Sequence, residues 1–98
     1  MRAYVLQYDG QKLEAKPRPR GTDLNPDTFQ LEQMQDIVGG YIEIVRLTED
    51  VLMVVNEEGK CEGLPYNKEA TALFRKCFPK SGDFIVGNVL VCDSSMVE

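Results

Sequence analysis

The sequence predicts an α+β fold: a mixed or antiparallel sheet of about five to six strands with two helices on one face, in the order β-β-α-β-β-β-α-β. Several short runs rich in β-branched residues are separated by polar, Gly-containing turns, which is typical of strands. Two other segments space their apolar residues by three and four, which is typical of helices. Because each helix has one apolar stripe, we expect both stripes to cover one side of the sheet.

The chain length predicts a single domain, residues 1–98, with a hairpin and basic connector at 1–20 and a core at 27–92. Apolar residues make up 43% of the sequence, which is too many for a disordered chain. The sequence has no run of about 18 apolar residues and no apolar segment of a signal peptide at its start. We therefore expect a cytoplasmic protein that does not span a membrane.

The first predicted element is a hairpin. Residues 2–8 are rich in strand formers, and residues 11–16 alternate apolar and polar side chains. Asp9-Gly10 between them is a strong signal for a two-residue type I′ turn. These features predict two antiparallel strands at the beginning of the chain.

A proline-rich connector follows the hairpin. Pro17 and Pro19 have no amide donor and restrict their neighbours, so we expect an exposed loop. Four basic side chains lie in the second strand of the hairpin and in this loop: Lys12, Lys16, Arg18 and Arg20. We expect no direct nucleic-acid binding elsewhere in the chain, and this segment is the one place where the sequence leaves it open.

The first helix is predicted to begin at Asp27. Asp27 and Gln30 have the spacing of a capping box, in which each side chain bonds a backbone amide of the other. Gly39 ends the helix, since glycine readily adopts the left-handed conformation that follows a helix. The apolar residues between these ends fall on one face: Leu31, Met34, Ile37 and Val38.

Three strands on short polar turns are predicted next, at residues 41–47, 51–56 and 60–64. The middle strand is apolar at every position but its last, so we expect it to be central and covered on both faces. A second helix then begins at Asn67 and buries Ala70, Leu73, Phe74 and Cys77. The last strand is predicted at 84–92, where Gly87 indicates a bulge or a close backbone contact.

The composition argues against an enzyme and leaves only carboxylate or lysine chemistry open as a catalytic alternative. The sequence has no histidine, which removes the commonest general base and the usual activator of serine or cysteine nucleophiles. Its three cysteines form no C-x-x-C pair, so we expect reduced, packed thiols, no metal and no cofactor. The acidic turns at 49–50 and 57–58 flank strand 51–56 at roughly 17–20 Å from each other. Paired-carboxylate catalysis needs about 5–10 Å.

The charge is unevenly distributed. Residues 1–20 carry a net charge of +3 and residues 21–98 a net charge of −8. An acidic body repels nucleic acid and is suited to a basic protein surface, including one that normally holds nucleic acid. The candidate partner-binding residues are those of the acidic turns: Glu49, Asp50, Glu57, Glu58 and Glu62.

The start of the second helix provides an alternative site. Free amides and a partial positive charge at a helix N-terminus attract phosphate, and Lys68 and Thr71 would add a charge and a hydroxyl. The side chain of Asn67 occupies one of those amides as a cap, however, and Glu69 opposes an anion. We favour the capping function for Asn67 and keep Asn67, Lys68 and Thr71 as the candidate ligand residues.

Four segments lie in the central and C-terminal two thirds of the chain: GGYIE at 39–43, VLMVVNEEGK at 51–60, GLPYNKEAT at 63–71 and IVGNVLV at 85–91. In these segments the chain resembles a family of small domains of unknown function carried by phages, plasmids and conjugative elements. The family carries no established activity, and the resemblance implies a mobile-element origin.

By analogy, this origin suggests a non-enzymatic inhibitor of a bacterial host defence component, such as a CRISPR effector or restriction nuclease, bound through the acidic turns and an edge strand. The alternative is a small-ligand module that sequesters a nucleotide signal between protomers, with a homodimer as its functional unit.

Overall fold

The computed structural model describes residues 3–17 and 28–97. Within these residues, five strands form one antiparallel sheet in the order β2-β1-β5-β4-β3. The elements along the chain are β1 (Ala3–Leu6), β2 (Lys12–Ala15), α1 (Leu31–Val38), β3 (Ile42–Arg46), β4 (Val51–Asn56), α2 (Lys68–Cys77) and β5 (Val89–Asp93), followed by a 3₁₀ turn at Ser94–Met96. The predicted α+β class is confirmed. Neither described helix has the length and apolar character that a membrane crossing requires.

The two helices lie on opposite faces of the sheet, which corrects the prediction that they share one face. Successive residues of a strand point to opposite faces. Met53 of β4 belongs to the apolar cluster that contains Ala70 of α2, whereas Val54 belongs to the cluster that contains Met34 of α1. Burying such a side chain contributes about 1.5–3 kcal/mol. Because β4 and β5 are apolar on both faces, each face needs its own helix.

Strand β4 is central, as predicted, but the predicted third strand at 60–64 is wrong. Strands β3 and β5 already pair with the two edges of β4, so a further strand has no place beside it. The chain forms consecutive turns instead. The Glu62 amide donates to the Glu58 carbonyl at 2.9 Å, and the Leu64 amide donates to the Gly59 carbonyl at 3.0 Å.

The N-terminal hairpin is confirmed, but its turn has three residues and is not type I′. The Gln7 amide donates to the Gln11 carbonyl at 2.8 Å, which leaves residues 8–10 as the loop. Within this loop only Gly10 has a positive φ, of 93°, whereas a type I′ turn needs positive φ at two residues. Asp9 stabilises this turn through its side chain, because its carboxylate accepts from the Gln11 amide at 3.0 Å.

Helix α1 begins later than predicted. Gln30 is the extended N-cap residue, with φ −84° and ψ 157°, and is not the third helical residue of a capping box. Phe29 is buried and forms an isolated bridge with Val97, which holds the chain extended at this point. Asp27 lies outside the described residues. Gly39 ends the helix in the left-handed conformation, as predicted.

Strand β5 also begins later than predicted, at Val89. Gly87 has φ +73°, a conformation that interrupts a strand. The segment 85–87 pairs with 65–67 through two backbone hydrogen bonds, of 2.7 and 2.9 Å. The predicted close contact at Gly87 is confirmed, since a Cβ there would lie 2.9 Å from Leu64 Cδ1.

Candidate binding surface

The start of α2 is held by hydrogen bonds within the domain. Asn67 is completely buried, and its Oδ1 accepts from the Ala70 amide at 3.0 Å. Its Nδ2 donates to the carbonyls of Leu6 at 3.0 Å and Gly87 at 2.7 Å. The predicted N-cap is therefore confirmed, and the same side chain joins α2 to β1 and to the segment before β5.

Thr71 is held in the same way. It is 1% exposed, and its hydroxyl accepts from the Ile85 amide at 2.9 Å and donates to the Ile85 carbonyl at 3.2 Å. Lys68 is exposed. The three candidate ligand residues are thus divided between the interior and the solvent.

The five candidate partner-binding residues form two groups at opposite ends of β4. Glu49 and Asp50 lie in the turn before this strand, where Arg46 Nη1 donates to the Glu49 carbonyl at 3.0 Å. The Thr48 hydroxyl accepts from the Asp50 amide at 3.2 Å and so holds the same turn. The Arg46 guanidinium therefore binds the backbone of this turn, and within the described segments it forms no ion pair with the Glu49 or Asp50 carboxylate.

Asp93 adds a carboxylate to this end of the sheet, because it pairs with Val51. Its Oδ1 accepts from the amide and the hydroxyl of Ser95, at 3.0 and 2.8 Å. The amide hydrogen bond is the main reason that the pKa of Asp93 lies below its usual value. The Asp93 carboxylate therefore has local donors.

The other end of β4 carries more negative charge than the sequence predicted. Strand pairing sets Glu43 of β3 opposite Val55, and the Glu57 amide donates to the Tyr41 carbonyl at 2.9 Å. Glu43 and Glu57 are therefore diagonal neighbours across the two strands, with about 7–8 Å between their Cα atoms. We call this end the acidic surface, defined by Glu43, Glu57, Glu58 and Glu62.

A cleft of about 290 Å³ lies beside the acidic surface on the α2 face of the sheet. Its walls are largely apolar and include Val45, Phe74 and Val86, while Glu43 and Glu57 lie among its lining residues. The cleft therefore offers apolar area next to carboxylates, a combination that suits a long side chain with a cationic end.

Lys60 lines the same cleft, where it is engaged by two other lining residues, Asp83 and Phe84. Its ammonium pairs with the Asp83 carboxylate and lies 4.5 Å from the centroid of the Phe84 ring. The Lys60 hydrogen bond is the first cause that lowers the pKa of Asp83, followed by the Phe84 amide. Within residues 3–17 and 28–97, no basic side chain lies within ion-pair distance of Glu43, Glu57 or Glu58.

Buried Asn56 fixes the geometry of the acidic surface from the α1 face. Its Nδ2 donates to the Val38 carbonyl and to Glu62 Oε1, both at 3.2 Å. Its Oδ1 accepts from the Glu58 amide at 2.8 Å. A shallow cavity of about 290 Å³, lined partly by Tyr41, lies beside these groups. Glu62 therefore stabilises the turn in addition to adding charge.

The basic N-terminal segment is described only in part. Lys12 Nζ lies 4.2 Å from the centroid of the Tyr4 ring, a cation–π contact within the hairpin. Lys16 follows β2, and its carbonyl accepts from Gln33 Nε2 at 2.8 Å. Arg18 and Arg20 lie outside the described residues.

The three thiols differ in their environment. Cys61 is exposed at the cleft, Cys77 is half-buried and Cys92 is buried. Burial, followed by the charge of Asp93, raises the pKa of Cys92 from 9.0 to about 11. In the described segments, no three His, Cys, Asp or Glu side chains are close enough to hold a metal ion.

We expect Cys61 to react with iodoacetamide first and Cys92 to react only after unfolding. The thiolate is the reactive form, and burial both disfavours it and blocks access to it at Cys92. Timed labelling at pH 8 with peptide mass spectrometry measures the order, and guanidinium provides the fully reactive control. Labelling of native Cys92 at the rate of Cys61 would contradict the buried position.

Glu43 was missed at the level of sequence, although a signal for it exists. The three-residue turn at 48–50 makes Leu47 and Val51 a pair, and counting back from this pair sets Glu43 opposite Val55. The spacing along the chain separates Glu43 from Glu57 by fourteen positions and hides their proximity. Only the strand register brings them together.

The chain matches a protein-family model over residues 3–96, and that model is described as a domain of unknown function, DUF3846. The match includes the N-terminal hairpin, which the resemblance of the central and C-terminal segments left out. Comparisons with curated proteins and with solved structures gave no match.

Proposed function

We propose that this chain, which belongs to the DUF3846 family of domains of unknown function, is a non-enzymatic binding protein that occupies a basic surface of a protein partner. The observation that carries the proposal is the group of Glu43, Glu57 and Glu58, which have no cation within ion-pair distance in the described segments. Carboxylates gathered on one side of a small domain speed association with a cationic partner and fix its orientation.

The partner class that we propose is a nucleic-acid-binding protein of a bacterial cell, met in the cytoplasm. Such proteins hold phosphates with rows of lysine and arginine, and a row of carboxylates presents the same sign of charge to them. The first case to test is a host defence nuclease, either a CRISPR effector or a restriction enzyme. The mobile-element origin implied by the sequence resemblance supports this choice.

Charge alone would give weak binding. One exposed ion pair contributes less than about 1 kcal/mol, so several pairs and some apolar contact have to act together. The cleft beside Glu43 supplies apolar contact through Val45 and Phe74. A partner whose basic side chains have long apolar stems would use both features of this end of the sheet.

The experiment compares two charge reversals of equal size. We expect the Glu57→Lys and Glu58→Lys double variant to lower partner capture at least about tenfold, because it replaces two attractive contacts by repulsive ones. The matched control is Glu49→Lys with Asp50→Lys at the opposite end of β4, where we expect little change. Capture from a lysate of a defence-bearing strain, repeated across salt concentrations and followed by partner identification, provides the measurement.

Four results would overturn the proposal. Capture that is unchanged in the Glu57→Lys and Glu58→Lys variant would exclude the acidic surface as the binding region. An equal loss in the control variant would show that only the net charge of the domain matters. A captured protein without a basic surface, or capture that is insensitive to salt, would also contradict it.

A further inference from the structure

Among residues 3–17 and 28–97, β3 is the last strand of the sheet and pairs only with β4, so no described strand bonds to its outer backbone edge. The Tyr41 carbonyl accepts from Glu57 and the Leu47 amide donates to Val51, so the odd-numbered residues direct their backbone groups toward β4. Bonded and non-bonded pairs alternate along antiparallel strands. The residues whose N–H and C=O groups point away from the sheet are therefore Ile42, Ile44 and Arg46.

The opposite edge of the sheet has a side-chain cover. Each edge strand carries two charged residues, so charge does not distinguish the two edges. Just beyond β2, however, the Lys16 carbonyl accepts from Gln33 Nε2 at 2.8 Å, and covers of this kind prevent unwanted strand pairing. Strand β3 has five residues, leaves Ile44 45% exposed and follows Tyr41, which is 69% exposed.

A strand added to β3 would meet different chemistry on its two faces. Ile44 points to the α1 face, whereas Glu43 points to the α2 face, where Glu57 and the cleft lie. Residues that lie opposite each other in paired strands share a face. The position opposite Glu43 therefore suits lysine or arginine, and the position opposite Ile44 suits an apolar side chain.

We infer that β3 binds an extended segment of the partner by antiparallel strand addition, and that this segment alternates basic and apolar residues. The inference rests on the proposed function and adds how the basic partner is engaged. Main-chain hydrogen bonds supply affinity in this mode, and the alternate side chains supply specificity. The basic residues lie against Glu43 and Glu57, and the apolar residues lie against Ile44.

A second copy of the chain fits this edge less well. Antiparallel self-pairing centred on Ile44 sets Val45 of one copy opposite Glu43 of the other, which provides no cation. Pairing centred on Glu43 sets two carboxylates opposite each other, which is destabilising. Charge complementarity therefore favours a basic segment of another protein.

The test uses a fluorescein-labelled peptide, Lys-Val-Lys-Val-Lys-Val-Lys with blocked ends, and measures its binding to the full chain by fluorescence anisotropy. With the peptide lysines opposite Glu43, the valine amides donate to β3 and the lysine amides point outward. We expect N-methylation of the valine amides to weaken binding at least about tenfold. N-methylation of the lysine amides is the matched control and should have little effect.

A protein variant gives an independent measurement. Ile44→Pro removes an outward amide and leaves the bonds between β3 and β4 in place, a position where edge strands tolerate proline. We expect this variant to weaken peptide binding at least about tenfold, whereas Ile44→Thr, which keeps the amide, should weaken it less. Circular dichroism checks that both variants fold. If Ile44→Pro does not fold, the N-methylated peptides decide the question.

The outcomes separate this inference from the proposed function. If Glu57→Lys weakens peptide binding while valine N-methylation and Ile44→Pro do not, the acidic surface binds without strand addition and the inference fails. If the Glu57→Lys and Glu58→Lys double variant has no effect on partner capture, the proposed function fails. An unmodified peptide that does not bind, greater loss from lysine N-methylation, or a dimer that Ile44→Pro abolishes would each overturn the inference.

Discussion

Replacing Asn67 by alanine is expected to lower the free energy of unfolding by about 3 kcal/mol. The substitution removes the cap on the Ala70 amide, which contributes about 1 kcal/mol. It also leaves the buried carbonyls of Leu6 and Gly87 without their side-chain donor, at a cost of about 1–3 kcal/mol. The loss is large because one amide group serves a helix, a strand and a loop.

Urea denaturation followed by circular dichroism measures this loss, and two variants divide it into parts. Asn67→Ser keeps a capping oxygen but is too short to reach both carbonyls, so we expect it to recover about 1 kcal/mol. Lys68→Ala changes an exposed neighbour and should stay within about 0.5 kcal/mol of the wild type. A loss below about 1 kcal/mol for Asn67→Ala would show that the two carbonyl bonds contribute little.

The same geometry changes how a small-ligand function should be tested. Variants of Asn67 or Thr71 would disturb folding, because both side chains are buried and bonded within the domain. A lost thermal shift in such a variant would not distinguish binding from stability. Lys68 is the exposed member of the candidate set, so its substitution is the one that reports on a bound anion.

The elements that were predicted correctly are those whose pattern is local and strong. The apolar run of β4 indicated a central strand, and Asn67 with the stripe after it indicated a capped helix. The start of α1 was predicted wrongly because a local capping pattern competed with a distant contact. Phe29 is held by Val97, and a sequence pattern around Asp27 contains no information about that partner.

The prediction that both helices cover one face of the sheet was wrong for a related reason. The apolar stripes of the helices show which side chains are buried but not which face of the sheet they cover. The information was present in β4 and β5, since strands that are apolar at every position but the last need cover on both faces. Counting the apolar positions of the strands, and not only those of the helices, would have placed the helices correctly.

The candidate surface was predictable in part for a related reason. Glu57 and Glu58 were found because acidic residues in a turn are exposed wherever the turn lies. Glu43 required the strand register, and the donors to the Leu6 and Gly87 carbonyls required the tertiary fold, since Leu6 and Asn67 are 61 positions apart. Residues whose neighbours depend on long-range pairing are thus the ones that the sequence alone does not reveal.

Gly87→Ala is expected to be as destabilising as the loss of Asn67, by about 3 kcal/mol, for two separable reasons. A φ of +73° costs an L residue about 1–2 kcal/mol. The new methyl group would also lie 2.9 Å from Leu64 Cδ1, and overpacking of this kind costs about 1–3 kcal/mol. Urea denaturation measures the total.

Gly39→Ala is the matched control, because Gly39 has φ +80° and nothing lies within 4 Å of an added Cβ. It should lose only the backbone part, about 1–2 kcal/mol. In a Leu64→Ala background the close contact with Leu64 Cδ1 is gone and only an ordinary contact of 3.6 Å with Cβ remains, so Gly87→Ala should then cost no more than Gly39→Ala does in the wild type. Equal losses for the two glycines in the wild-type background would contradict close packing of Leu64 on Gly87.

Because the Gly87 carbonyl accepts from Asn67, combining Gly87→Ala with Asn67→Ala should cost less than the sum of the two single losses.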